Sequence, residues 1–224
     1  MLIPSIDLMG GKIVQLVQGK KKALEFDDFD AWIERFSSYP LVQLIDLDAA
    51  MGNGSNRNLI ADICRKLPCQ VGGGIRSTEE ARAMLDCGAK TVIIGSSLIK
   101  EGTIDEAFAK GLSDRFGSER LIFAVDSRGG RVAIHGWKTI TEIRPDEMMR
   151  RLAPSCSAFL YTHIDTEGLM QGIPLETVRQ LRQITTCRLI AAGGIRSAAE
   201  IEQLDQMGVD AVVGMAIYSG LLKA

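Results

Sequence analysis

The stretch Gly72-Gly73-Gly74-Ile75-Arg76-Ser77 returns 120 positions later as Ala192-Gly193-Gly194-Ile195-Arg196-Ser197. A chain that uses such a segment twice has to build two like supports for it. Each copy follows a short apolar run, Cys69-Gln70-Val71 or Leu189-Ile190-Ala191, and precedes an amphipathic stretch. Ser77 with Glu80, and Ser197 with Glu200, give each stretch the Ser-x-x-Glu opening of a helix. The pattern therefore predicts strand, glycine turn and helix N-terminus, twice. Glycines at such a junction let backbone N–H groups point into open space beside the positive helix end, as in phosphate sites.

The repeat extends well beyond the turn. Asp7-Leu8-Met9-Gly10-Gly11-Lys12-Ile13-Val14 matches Asp126-Ser127-Arg128-Gly129-Gly130-Arg131-Val132-Ala133 at an offset of 119, and Ile94-Gly95 meets Val213-Gly214 at the same offset. β-rich runs alternate with helical patterns throughout, which predicts parallel βαβ units. The strands are expected at Ile3 to Leu8, Leu41 to Asp46, Cys69 to Val71, Thr91 to Ile94, Leu121 to Asp126, Ala158 to His163, Arg188 to Ala191 and Ala211 to Val213. Helical spacing of apolar residues marks Asp30 to Ser38, the stretch after Asn58, both segments after the serine caps, Ile104 to Phe116, Glu147 to Leu152 and Leu175 to Ile184. Eight such units in 224 residues predict a (β/α)8 TIM barrel with half-barrel duplication, slightly lean for a fold of typically ~250 residues. A single domain over residues 1–224 is expected. Two units carry a hairpin in place of an immediate helix, and Gly52-Asn53-Gly54-Ser55-Asn56 reads as the most flexible loop.

Composition narrows the class of ligand. The net charge of -2 gives no basic field for nucleic acid, so an anionic ligand must be held by local donors. Met1-Leu2-Ile3-Pro4 lacks a leader's basic flank, and no apolar run approaches a membrane span; a cytoplasmic monomer is expected. The five cysteines lack Cys-x-x-Cys spacing and read as buried free thiols, and His135 and His163 have no metal-ligand partners at recognisable spacing. No metal is expected.

Active sites of barrels lie at the carboxyl ends of the strands. Asp7 and Asp126 each close a strand there, and strands one and five face each other across the mouth, so the repeat sets two carboxylates on opposite sides of one cavity. They are candidates for acid and base work; the plainer reading is that each caps a turn. Gly74 with Gly95-Ser96-Ser97, and Gly193-Gly194 with Gly214-Met215-Ala216, form two candidate anion cradles, though glycines also serve tight turns and close packing. Arg76 and Arg196 read equally as phosphate contacts and as scaffold ion pairs. Two cradles with two acids between them predict a small-molecule substrate carrying a phosphate at each end.

Taken as a set, Ile3-Pro4-Ser5-Ile6-Asp7-Leu8, the two glycine turns, Val125-Asp126-Ser127-Arg128-Gly129-Gly130 with Gly136-Trp137, and Tyr161-Thr162 resemble the phosphoribosylformimino-aminoimidazole carboxamide ribotide isomerase family of histidine biosynthesis. The resemblance runs from Met1 to about Ser219. Ser5 and the Ser127-Arg128-Gly129-Gly130 run set the chain apart from the sister cyclase family, which usually has cysteine and lysine in those motifs. It implies an Amadori rearrangement of an aminoaldose to an aminoketose without a cofactor, with Asp7 matching the family's base, Asp126 its acid and Thr162 a residue that orients the sugar. Trp137 reads evenly as a group stacking near the substrate and as an interior aromatic. Where the family commonly reads Thr-Asp-Ile and Asp-Gly-Thr, this chain has Thr162-His163-Ile164 and Glu167-Gly168-Leu169, which leaves Gly168 as the loop's retained substrate contact. His163, adjacent to Thr162 on a strand, is expected to point toward the helices. Two other readings remain: an isomerase that also accepts phosphoribosylanthranilate, and a phosphometabolite-binding barrel without catalysis.

Overall fold

The computed structural model describes residues 1–223. Its centre is a closed ring of parallel strands: β1 (Leu2–Met9), β2 (Val42–Asp46), β3 (Cys69–Gly72), β4 (Thr91–Ile94), β5 (Leu121–Arg128), β6 (Ala158–His163), β7 (Arg188–Ala192) and β8 (Val209–Val213). Neighbours pair in chain order, and Leu2, Ile3 and Pro4 of β1 close the ring against Ala211, Val212 and Val213 of β8. Around it run α1 (Phe29–Phe36), α2 (Leu47–Met51), α3 (Arg57–Lys66), α4 (Thr78–Asp86), α5 (Glu106–Phe116), α6 (Pro145–Leu152), α7 (Leu175–Ile184), α8 (Ala198–Gln206) and α9 (Met215–Tyr218). This is the (β/α)8 barrel that the repeat predicts.

Strand alternation divides the core in two. Ile6, Leu8, Leu44, Phe123 and Phe159 face outward and pack under the helices, while Ile3, Ile93, Ile122, Leu160, Ile190 and Val212 fill the barrel. The same alternation turns Ser5 and Asp7 of β1 inward, with Asp7 at the carboxyl end. Among the described residues no helix is long and apolar enough to cross a membrane. Of the five free cysteines, Cys69 and Cys156 are buried and Cys64, Cys87 and Cys187 half-buried, a less complete burial than the sequence suggests.

Both hairpins form. Met9 pairs with Lys12, and Arg128 with Arg131, so each loop is two residues long. Gly10 and Gly11, like Gly129 and Gly130, all have positive φ, the requirement of the turn whose twist matches an antiparallel pair. The first hairpin goes further than expected: its strand Lys12–Val17 carries another, Lys21–Phe26, on its outer edge. The cue is the half-buried Leu24 and Phe26 alternating with exposed Ala23 and Glu25, masked by the charge of the segment.

The Gly52 to Asn56 loop is tied down, contrary to its composition. The buried Asp46 carboxylate accepts from the Asn56 backbone N–H (2.7 Å), the Asn56 side-chain amide (2.8 Å) and the Ala49 N–H (3.1 Å). Asn56 also donates to Asp48, which receives the Gly10 N–H at 2.6 Å. The loop therefore anchors the first hairpin to β2. The helix caps carry a variation too. Ser77 and Ser197 accept from the N–H groups of Glu80 and Glu200, but the glutamates reach back one residue past the cap, to the N–H groups of Arg76 (2.6 Å) and Arg196 (3.0 Å). Those two N–H groups are thereby already satisfied within the scaffold.

Candidate active site

A cavity of ≈ 250 Å³ opens at the carboxyl ends of the barrel strands. Asp7, Asp126, Thr162, Gly74, Arg76, Gly95, Ser96, Trp137, Gly168, Gly193, Gly194, Gly214 and Met215 all line it. The candidates gathered from the whole chain thus meet at one place. His163 is outside it, on the helix-facing side, where its Nδ1 lies 3.1 Å from the Tyr161 hydroxyl.

Three carboxyl groups face this space. Asp7 touches the cavity, yet dense protein around it pushes its pKa up to about 6, against the opposing effect of the Ser5 hydroxyl, which donates to Oδ1 at 2.9 Å. Asp126 is also raised by burial, while hydrogen bonds from Trp137 and Thr162 favour its anion. Trp137 Nε1 donates to Asp126 Oδ2 at 2.8 Å. The third carboxyl is Glu167, pushed up to about 8 by burial first and then by the charges of Asp7 and Asp126. At neutral pH Asp7 is mostly ionised and Glu167 keeps its proton. The three do not converge on a point: among the described residues no group of three His, Cys, Asp or Glu is placed to hold a metal.

Trp137 is held by strain as well as by contact. Its φ of +65° is rare for a bulky residue, and His135 and Gly136 before it are also left-handed. A glycine at position 19 makes room for the ring, since a Cβ there would come within 2.7 Å of it. Trp137 is thus a half-buried wall of the cavity whose N–H is spent on Asp126.

The glycine turns do structural duty and line the mouth at once. A Cβ on Gly73 would overlap the backbone of Asp46, and one on Gly193 the backbone of His163; Gly74 and Gly194 abut Ala49 and Thr166 in the same way. Each turn is therefore pressed against the loop after the preceding strand. Arg76 donates to the carbonyls of Ala49 (3.1 Å), Ala50 (2.9 Å) and Gly74 (3.4 Å), closing the end of α2 while still lining the cavity. Arg196 instead pairs with Glu200 at 3.1 Å. Gly168 lets its loop approach Leu16 and Val17 of the first hairpin, where Gln18 N–H donates to the Glu167 carbonyl at 3.1 Å. Glu167, whose backbone makes that contact, lines the mouth.

Sequence reasoning gave Glu167 no part beyond that of a lengthened family residue. Its signal is present, an acid four residues past the end of β6 and beside Gly168, but its setting depends on the hairpin crossing over from the other half. Gln15, Gln43 and Ser5 also line the cavity unannounced; they read as ordinary strand polars, and only barrel closure turns them inward.

The match to known proteins covers the whole molecule. The family model described as "Histidine biosynthesis protein" matches residues 1–223. Curated relatives include the 1-(5-phosphoribosyl)-5-((5-phosphoribosylamino)methylideneamino) imidazole-4-carboxamide isomerase of Methanosphaera stadtmanae, 36% identical over 99% of this chain and 95% of the relative. Proteins of the same name from Methanocaldococcus jannaschii (34% identical, 99% of this chain, 94% of the relative) and Methanothermobacter thermautotrophicus (36%, 99% and 95%) are similar over the same span. With its repeated half-barrel and a match over 1–223, this chain belongs to the histidine biosynthesis protein family.

Proposed function

We propose that the chain is an aldose-ketose isomerase that carries out the Amadori rearrangement named for its relatives, converting the bisphosphorylated phosphoribosylformimino-aminoimidazole carboxamide ribotide to its ribulosyl form. The observation that carries the reading is the meeting of Asp7, Asp126 and Glu167 in one cavity whose rim holds both glycine turns. Opening the ribose needs a proton on the ring oxygen, and enolisation needs one removed from C2. Asp7, mostly ionised at neutral pH, is the base. The proton comes from Asp126, whose pKa burial raises, with Glu167, pushed up to about 8 by burial and by the charges of Asp7 and Asp126, protonated in the same cavity at pH 7. Asp126 is the delivering group, oriented by Trp137 and Thr162; Glu167 supplies the reserve.

The substrate's two phosphates sit at the Gly74–Gly95–Ser96 and Gly193–Gly194–Gly214–Met215 turns, where the first N–H groups of the short helical turns at Ser96 and Met215 lack intrahelical partners. Gripping both ends positions the reacting middle. The step moves protons only, so it needs no cofactor. The protein works as a cytoplasmic, single-domain monomer.

A turnover assay offering this substrate and, separately, phosphoribosylanthranilate tests the reading. Wild type is expected to isomerise the first and not the second. Asp7→Asn and Asp126→Asn should each lose roughly 10²–10⁴-fold in kcat. Binding without turnover in wild type would overturn the catalytic reading, and full activity in both variants would overturn the residue roles.

A further inference from the structure

One level of the barrel interior differs sharply between the halves. Strand register puts Ser5, Gln43, Gln70 and Thr91 side by side across β1 to β4. The equivalent row across β5 to β8 is Ala124, Leu160, Ile190 and Asp210. In the second half, then, the three positions matching Ser5, Gln43 and Gln70 are apolar, and that packing works in this same fold. In the first half the chain buries a hydroxyl and two primary amides there, with Ser5 at 5%, Gln43 at 6% and Gln70 at 0% exposure. Burying amides is costly unless they are hydrogen-bonded, and the row is only partly satisfied: Gln70 Oε1 and Thr91 Oγ1 have no partner.

What the row does achieve is orientation. Gln70 Nε2 donates to Gln43 Oε1 at 2.9 Å. That bond occupies the acceptor end of the Gln43 amide and leaves Nε2, with its two donors, as the end available to the cavity. Gln43 lines the cavity floor; Gln70 lies beneath and does not. Ser5, the register neighbour of Gln43, is engaged upward with Asp7.

We infer that Gln43 Nε2 donates to an oxygen of the reacting sugar at the floor of the cavity, and that Gln70 is a positioning residue that keeps this amide donor-side up. Gln43 contacts the uncharged middle of the substrate, a hydroxyl or carbonyl oxygen, while the rim holds the phosphates. The inference rests on the isomerase reading and adds a side-chain contact on the floor to it.

Steady-state kinetics with thermal denaturation on wild type, Gln43→Leu, Gln70→Ile and the double variant Gln43→Leu/Gln70→Ile tests it. Gln43→Leu is expected to lower kcat/KM roughly 10- to 100-fold. Gln70→Ile removes the donor that engages Gln43 Oε1, so the amide is no longer held donor-side up; the loss should be severalfold and fall on the same parameter, kcat or KM. The double variant copies Leu160 and Ile190, a pair this barrel already packs, so it keeps the proposal testable should a single variant fail to fold. Its loss should be no greater than that of Gln43→Leu alone. A kcat/KM within threefold of wild type for the double variant or for folded Gln43→Leu overturns the floor contact. Unchanged activity in Gln70→Ile, or losses that multiply in the double variant, overturn the positioning role. An inactive wild type is a different result: it removes the isomerase reading itself, and this inference with it.

Discussion

Gly73 lies against the backbone of Asp46 as Gly193 lies against that of His163, and Gly10 donates to Asp48 as Gly129 donates to Asp165. Gln18 and Trp137, 119 positions apart, are both left-handed. Each hairpin even leans on the opposite half: Gln15 packs against Gly214, and the His135 N–H donates to Ser96 Oγ at 2.8 Å. These shared features are backbone features, such as turns, caps and loop supports. The differences are side chains pointing into the cavity. Glu167 stands where the first half has Ala50, at an offset of 117, and Gln43 stands where the second half has Leu160. Duplication has preserved two like turns at the mouth and let the space between them diverge, a division that matches the proposed substrate with its similar ends and unlike middle.

Glu167 is the sharpest break in the symmetry, and of the positions where the halves differ its removal carries the largest expected effect. Its pKa of about 8 lies above the ordinary value of 4.5, so the folded state holds an extra proton between those values and stability falls as pH rises from about 4.5 to about 8. Asp7 acts in the same direction between 3.8 and about 6. Activity is expected to rise as Asp7 ionises near pH 6 and to fall as Glu167 loses its proton near pH 8, a bell-shaped profile. Glu167→Gln should cost on the order of 10²–10³ in kcat, abolish the alkaline limb and flatten the upper part of the stability decline. A pH–rate profile and denaturant midpoints across the same range check this. An alkaline limb that survives the substitution means another group holds the proton.

The glycines test the side of the comparison where the halves agree. Gly73 and Gly193 have φ of +101° and +111°, and a Cβ at either would overlap backbone that has little freedom to move. Gly73→Ala and Gly193→Ala should each destabilise by roughly 2–4 kcal/mol, within about 1 kcal/mol of one another. Urea midpoints measure both. If one is tolerated and the other is not, the two supports are not equivalent and the duplication has decayed at the backbone as well.

What could be read from sequence follows the same division. Turn glycines, serine caps and strand-ending aspartates announce themselves through local chemistry, and for that reason the barrel, its two hairpins and the placing of Asp7 and Asp126 at one cavity are legible in the sequence. Local rules failed where a residue's setting is made by chain far away. Asn56 sits in a run of glycine and asparagine that looks mobile, yet Asp46 and Asp48 bury it. Glu167 looks like any loop acid until Gln18 and Gly168 bring it into the mouth. Gln43 and Gln70 are single polar residues on separate strands, and nothing local says that they touch.

The arginines of the repeated turn divide the halves most finely. Sequence left Arg76 and Arg196 equally open as phosphate contacts and as scaffold residues; the structure gives them different work. Arg76 closes α2 through the carbonyls of Ala49 and Ala50, also holds that of Gly74, and borders the cavity, whereas Arg196 is about half exposed and tied to Glu200. Arg76→Ala should therefore destabilise by about 1 kcal/mol and raise KM. Arg196→Ala removes a surface pair on a helix end, a change of about 0.5 kcal/mol or less, and should leave KM as it was. Equal KM effects from the two substitutions would mean that both arginines reach the phosphates once substrate is bound, and that the asymmetry between the halves lies in the cavity floor and Glu167 alone.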